Sequence, residues 1–122
     1  PVVLYFFPAA FTPGCTLEAN AFAENIGEFR KAGATVIGVA ADSLEDLKRF
    51  SVKECRNRFA VAVATPRMIA DYGVALPKLA GRSSRTSFVI GRDRRIAMVH
   101  SDMDYRQHVT RTLAAARELS RR

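Results

Sequence analysis

Six consecutive apolar residues, Val2-Val3-Leu4-Tyr5-Phe6-Phe7, leave this chain few ways to fold. A strand wetted on one side alternates polar and apolar residues. An unbroken run rich in β-branched and aromatic side chains suits a strand covered on both faces, at the centre of a sheet. The segments that follow supply the cover. From Cys15 onward, Ala19, Phe22, Ile26 and Phe29 recur at spacings of three or four with charged residues between them, and Gly33 closes the segment. That pattern predicts one amphipathic helix. Residues 34–40 predict a second buried strand, and Ser43-Leu44-Glu45-Asp46 has the form of a capping box opening a helix with Leu44, Leu47 and Phe50 turned inward.

Residues 59–64 then read as a third strand, and residues 66–72 as a short helix with proline in its first turn and Gly73 at its end; 74–84 form a loop. Residues 86–90 and 96–100 make a hairpin around Gly91-Arg92-Asp93-Arg94. Residues 103–120 form a terminal helix with Tyr105, Val109, Leu113 and Ala116 on its covered stripe. This succession predicts an α/β fold, a central mixed sheet flanked by helices, in one domain spanning residues 1–122.

A chain of 122 residues suffices for one core that buries roughly two-thirds of the surface exposed on unfolding. No apolar run approaches the roughly 20 residues needed to cross a bilayer, so no membrane role is expected. The net charge of +7 raises the question of nucleic acid. The arginines are dispersed over helices and a turn, no aromatics interleave with them, and no nucleic-acid motif accompanies them, so a solvated basic surface is expected instead. Two cysteines are too few for a disulfide scaffold and point to redox chemistry in a reducing compartment, hence a cytoplasmic location. His100 and His108 stand at no spacing that suggests a metal; both read as structural or exposed, and neither a metal nor a cofactor is expected.

The chemistry concentrates in Pro8-Ala9-Ala10-Phe11-Thr12-Pro13-Gly14-Cys15, which carries the chain from the first strand to a cysteine at a helix start. Unpaired backbone N–H groups and the positive end of the helix dipole both favour a thiolate there, and the thiolate is the reactive form. Thr12 offers a hydroxyl toward the same point, while Pro8 and Pro13 stiffen the loop and remove competing donors.

Pro8, Thr12 and Cys15 in this spacing resemble the signature of the peroxiredoxins. The string Phe11-Thr12-Pro13-Gly14-Cys15-Thr16-Leu17-Glu18 is similar to their bacterioferritin-comigratory, or peroxiredoxin Q, branch. Val36-Ile37-Gly38-Val39 with Asp42-Ser43, Asp71-Tyr72-Gly73-Val74 and Arg85-Thr86-Ser87-Phe88-Val89-Ile90 extend the resemblance along most of the chain. It implies a thioredoxin-like sandwich that here lacks the family's N-terminal hairpin, which would leave part of a sheet edge or face uncovered. It also implies attack of the Cys15 thiolate on the O–O bond of a hydroperoxide, with Thr12, Arg85 and the backbone of Gly14 and Cys15 as donors around the peroxide. Glu18, one helical turn after Cys15, is expected to orient Arg85, or else to be simply a favourable acid in the first turn.

The resemblance leaves the fate of the sulfenic acid open. Where some members carry a second cysteine five residues on, this chain has Asn20, and where others place it in the next helix, it has Ser51. Cys55, one turn beyond Ser51, would serve as resolving cysteine if that helix reaches it. Otherwise thioredoxin, glutaredoxin or a small thiol reduces Cys15 directly, in a monomer or weak homodimer. A disulfide reductase would want Cys-x-x-Cys, and position 12 is threonine. The remaining alternative is a non-catalytic interaction module that uses the basic surface.

Overall fold

The computed structural model describes residues 1–121. β1 (Val2–Phe6) lies at the centre of a five-stranded sheet of order β3-β2-β1-β4-β5. β2 (Thr35–Ala40) runs parallel to β1 with Leu4 opposite Ile37, and β3 (Ala60–Val63) runs parallel to β2. β4 (Thr86–Ile90) is antiparallel to β1 with Leu4 opposite Phe88, and β5 (Ile96–Ser101) closes the far edge antiparallel to β4. The sheet is therefore mixed, as expected. Because successive residues of β1 point to opposite faces, Val3, Tyr5 and Phe7 enter the larger core, while Leu4 and Phe6 pack with Val39, Ile69, Val74 and Phe88 on the other face.

Both parallel connections step the same way across the sheet, and right-handed crossovers then put their helices on one face. Those helices are α1 (Pro13–Glu24), α2 (Ile26–Lys31) and α3 (Leu44–Lys53), whose Phe22, Phe29, Leu47 and Phe50 all join the larger core. α4 (Pro66–Asp71) sends Ile69 to the opposite face, and α5 (His108–Ser120) returns to pack Val109, Leu113 and Ala116 into the larger core.

The expected elements differ from these in five places. The predicted helix from Cys15 to Gly33 begins at Pro13 and is interrupted at Asn25, whose ψ of 7° breaks the helical path and whose Nδ2 donates to the Ala21 carbonyl. Gly33 does end the second piece, in the left-handed region at φ 71°. Leu44 is not inward but 55% exposed, since it occupies the first helical position after the Ser43 cap, before α3 meets the core. The third strand is shorter, Ala60–Val63. The terminal helix starts at His108, preceded by a 3-10 turn, Tyr105–Gln107, capped by the Asp104 carboxylate, and Tyr105 is only half-buried there.

The fifth difference bears on chemistry. α3 stops at Lys53, so Cys55 lies beyond the helix and shares no helical face with Ser51. Its N–H bonds the Phe50 carbonyl while Arg56 and Asn57 both turn left-handed, at φ 54°, reversing the chain.

Candidate active site

The strand β1 delivers Phe7 and Pro8 to the sheet's C-terminal end, and three contacts hold the loop that follows. Ser83 Oγ donates to the Phe7 carbonyl at 3.1 Å, and the Ala10 N–H donates to Asp42 Oδ1 at 3.1 Å. Asp42 is in turn paired with Arg82 at 2.9 Å. Asp42 follows β2, so a residue carried by the neighbouring strand positions the loop. Phe11, at φ 63°, completes the bend and sets its ring edge-on to Phe50.

Thr12 is the N-cap of α1 in extended conformation, yet its hydroxyl does not cap the helix; Oγ1 donates to the Ala9 carbonyl at 2.8 Å. Its hydrogen thus committed, the exposed hydroxyl keeps its lone pairs for an incoming donor. Pro13, Gly14 and Cys15 are the first three helical residues, where N–H groups have no intrahelical partner, and Pro13 has none to offer. Cys15 therefore sits at the positive end of a twelve-residue helix.

Cys15 is only 1% exposed, which for a thiol among apolar side chains would signify inertness. Its sulfur has a charged partner instead. Arg85, just ahead of β4, brings Nη2 to 3.4 Å from Cys15 Sγ. The same guanidinium donates from Nη1 to Glu18 Oε1 at 2.8 Å and from Nε to the Met103 carbonyl at 2.8 Å. A planar fork with all three nitrogens engaged has one orientation, which a flexible ammonium could not reproduce. The missing side chain of Gly14 makes room for it, since a Cβ there would stand 2.9 Å from Nη2. Residues 70 apart in sequence are thereby brought together with Glu18, and Arg85 and Glu18 are both buried.

The other predicted residues fall around this pair. Pro8 is buried and its carbonyl faces Arg82 Nη1 at 3.5 Å. Cys55 is buried and reduced, and burial, with a smaller push from Glu54, raises its pKa to about 12. Tyr5 lies within electrostatic reach of Cys55, Glu18 and Cys15; burial first, then these neighbours, hold its hydroxyl protonated. Among the described residues no three metal-ligating side chains converge.

Sequence reasoning passed over Asp42 and Arg82 as loop clamps, Gly14 as the space for Arg85, and above all His108. Read from its spacing as structural or exposed, His108 is fully buried against Glu18. A histidine among the apolar positions of an amphipathic helix was the signal available, but only the packing of α5 on α1 tells what it faces.

Residues 1–99 match the AhpC/TSA family model. Peroxiredoxin Bcp of Escherichia coli is 34% identical over 112 residues, 88% of this chain and 72% of the relative. The chloroplastic peroxiredoxin Q of Sedum lineare is 31% identical over 120 residues, 98% of this chain and 64% of the relative. The crystal structure of peroxidoxin BcpB from Mycobacterium tuberculosis superposes with a TM-score of 0.87 at 33% identity, covering 97% of this chain and 79% of that one. The bacterioferritin comigratory protein of Xanthomonas campestris, whose structures concern its alkyl peroxide reduction activity, gives 0.83 at 26% identity, with 98% and 79% covered. With a buried thiol facing an arginine at a helix start and a thioredoxin-like sheet behind it, this chain belongs to the AhpC/TSA family as a peroxiredoxin of the Bcp and peroxiredoxin Q kind, a thiol-dependent peroxidase.

Proposed function

We propose that this peroxiredoxin reduces hydrogen peroxide and organic hydroperoxides with Cys15 as the attacking sulfur. The contact between Arg85 Nη2 and Cys15 Sγ at the start of α1 carries the reading. The thiolate attacks the terminal peroxide oxygen; an S–O bond forms, the O–O bond breaks, and Cys15 becomes a sulfenic acid while the alkoxide takes a proton from water. Negative charge moves from sulfur to the departing oxygen, so donors that span both atoms stabilise the transition state more than the ground state. Arg85 and the N–H groups of Gly14 and Cys15 are those donors. Thr12 Oγ1 accepts the peroxide O–H and aims its terminal oxygen at sulfur, and Pro8 walls the approach without adding a donor. The alkyl peroxide reduction of the Xanthomonas relative supports extending the substrate class to organic hydroperoxides.

For the return to thiol we favour an external reductant, thioredoxin, glutaredoxin or a small thiol. In the folded state Cys55 is buried and held protonated, so it is a poor nucleophile. One observation favours the internal route: Arg56 and Asn57, beside Cys55, both occupy the left-handed region, which makes that turn a cheap place to open. Repeated thiol reduction suits a reducing compartment, consistent with a cytoplasmic site. The exposed Phe11 and Leu17 beside Cys15 offer a small apolar contact, consistent with a monomer or weak homodimer.

Peroxide consumption with a thioredoxin system tests the reading: Cys15→Ser should abolish it, and retained activity would overturn the assignment. Mass measurement after one equivalent of peroxide separates the two routes. Gain of one oxygen marks a persistent sulfenic acid, and loss of two hydrogens marks a Cys15–Cys55 disulfide.

A further inference from the structure

Behind Arg85 the structure holds a polar group that the mechanism above does not use. Glu18 gives Oε1 to Arg85, but its buried Oε2 has no hydrogen-bond partner. On its side away from that bond stands His108, with Nδ1 3.7 Å from Oε2. The hydrogen positions on that ring follow from its other contacts. Nε2 lies 2.7 Å from the Asp102 carbonyl, which can only accept, so Nε2 carries the hydrogen. In the neutral ring Nδ1 is then a lone pair, 2.8 Å from the Ser87 hydroxyl. An ionised Glu18 would set acceptor against acceptor in a site from which water is excluded, a costly arrangement.

Resting on the reading of Cys15 as the attacking sulfur, we propose that Glu18 and His108 share one proton between Oε2 and Nδ1, and that this proton leaves the charge of Arg85 available to Cys15. His108 is thereby a positioning residue. Charge balance supports the proposal. With Cys15 and Glu18 both ionised, two negative charges compete for one buried guanidinium; with the shared proton present, thiolate and guanidinium balance. The gap is wider than a hydrogen bond. The Ser87 hydroxyl can turn its hydrogen away, and a small side-chain shift then lets Nδ1 meet a proton on Oε2.

The surroundings fit a proton residing on the carboxyl side. Burial raises Glu18 to about 8 against the pull of Arg85. Burial also lowers His108 to about 4, despite its bond to Asp102. Tyr5 from β1, Arg85 ahead of β4 and His100 from β5 face the pair, and Cys15 of α1 meets it through Arg85; the His100 and His108 rings stand 4.5 Å apart. Asp102 turns its main-chain carbonyl to the ring, and Asp104 is exposed and engaged with Arg106.

The test follows the proton directly in the full chain. Carbon-detected NMR of the Glu18 carboxyl and nitrogen NMR of the histidines, of which there are two, should show Glu18 and His108 Nδ1 responding at one midpoint near neutrality or above. The rate of peroxide reduction should fall across that midpoint as pH rises. Glu18→Gln, whose amide imitates the protonated acid, should abolish the fall while leaving the acid-side midpoint of the rate profile in place. His108→Asn should shift the Glu18 midpoint by about one pH unit. The proposal is overturned if Glu18 titrates in the ordinary carboxyl range, if His108→Asn leaves its midpoint unmoved, or if Glu18→Gln lowers the acid-side midpoint and keeps the alkaline fall. A coupled titration in a protein that consumes no peroxide at any pH would instead overturn the reading of Cys15 on which His108's role rests.

Discussion

Replacing Gly14 by alanine isolates the contribution of the Arg85 contact without touching either member of it. The added Cβ would stand 2.9 Å from Nη2 and 3.7 Å from Cζ, whereas unstrained contacts begin at about 3.5 Å, an overlap of about 0.6 Å confined to one nitrogen. The guanidinium cannot back away as a body, because Nε and Nη1 are bonded at 2.8 Å to the Met103 carbonyl and to Glu18. It relieves the overlap by rotating Nη2 away from Cys15, whose contact at 3.4 Å is the longest of the three. Losing a hydrogen bond to a charged partner costs about 1.5–3 kcal/mol. That corresponds to a fall of about 10- to 100-fold in the second-order rate of peroxide reduction. Stability should fall by less than the rate effect implies, since alanine in a helix is favoured over glycine by about 1 kcal/mol and offsets part of the lost bond. Stopped-flow peroxide oxidation and urea unfolding on the same variant make the comparison. A rate within twofold of the parent would refute the argument that this nitrogen is held on sulfur by the absence of a side chain at position 14.

Other consequences can be checked in the same way. Arg85→Lys should lower the peroxide rate by about 10-fold or more, because one ammonium cannot serve Glu18, Cys15 and the Met103 carbonyl together, and should also lower the urea midpoint by leaving Glu18 underpaired in the interior. Asp42→Ala frees both the Ala10 N–H and Arg82; a loss of about 1–2 kcal/mol in unfolding free energy and a raised KM for peroxide are expected, and an unchanged KM would show that the loop holds its shape without the clamp. Stability should depend on pH in a stated direction. Glu18 is raised in the folded state from 4.5 to about 8, so its contribution is full below the lower value and is lost as pH rises through the upper one. His108, lowered from 6.5 to about 4, acts oppositely, its contribution being lost as pH falls through that range. The two offset each other up to about 6.5, so the urea midpoint should decline between about 6.5 and 8, and Glu18→Gln should flatten that decline.

The apolar run of β1 needed no partner to declare itself. A strand with no polar face must be covered on both sides, and the regular alternation of strand and helix around it left little besides a mixed α/β sheet. Cys15 was equally legible, because a helix start and the spacing Pro8, Thr12, Cys15 are local properties of contiguous residues. Local signals misled where the deciding interaction was not local. Leu44 matches the inward stripe of α3 but lies in a turn that has not yet met the core, and the helix expected to carry Cys55 ends at Lys53, short of it, before the chain reverses at Arg56 and Asn57.

The family resemblance already placed Arg85 and Glu18 near the sulfur; tertiary structure alone decided how Arg85 reaches it and what else stands there. Arg85 is one arginine among many in a basic chain until antiparallel pairing of β4 with β1 carries it to the start of α1, where the bare Cα of Gly14 admits it. His108 is one polar residue in a helix until α5 packs across α1 and buries it beside Glu18. Sequence periodicity says which face of an element is covered. It does not say by what, because contacts between residues far apart along the chain are set by how the sheet orders its strands and by which helix falls on which face.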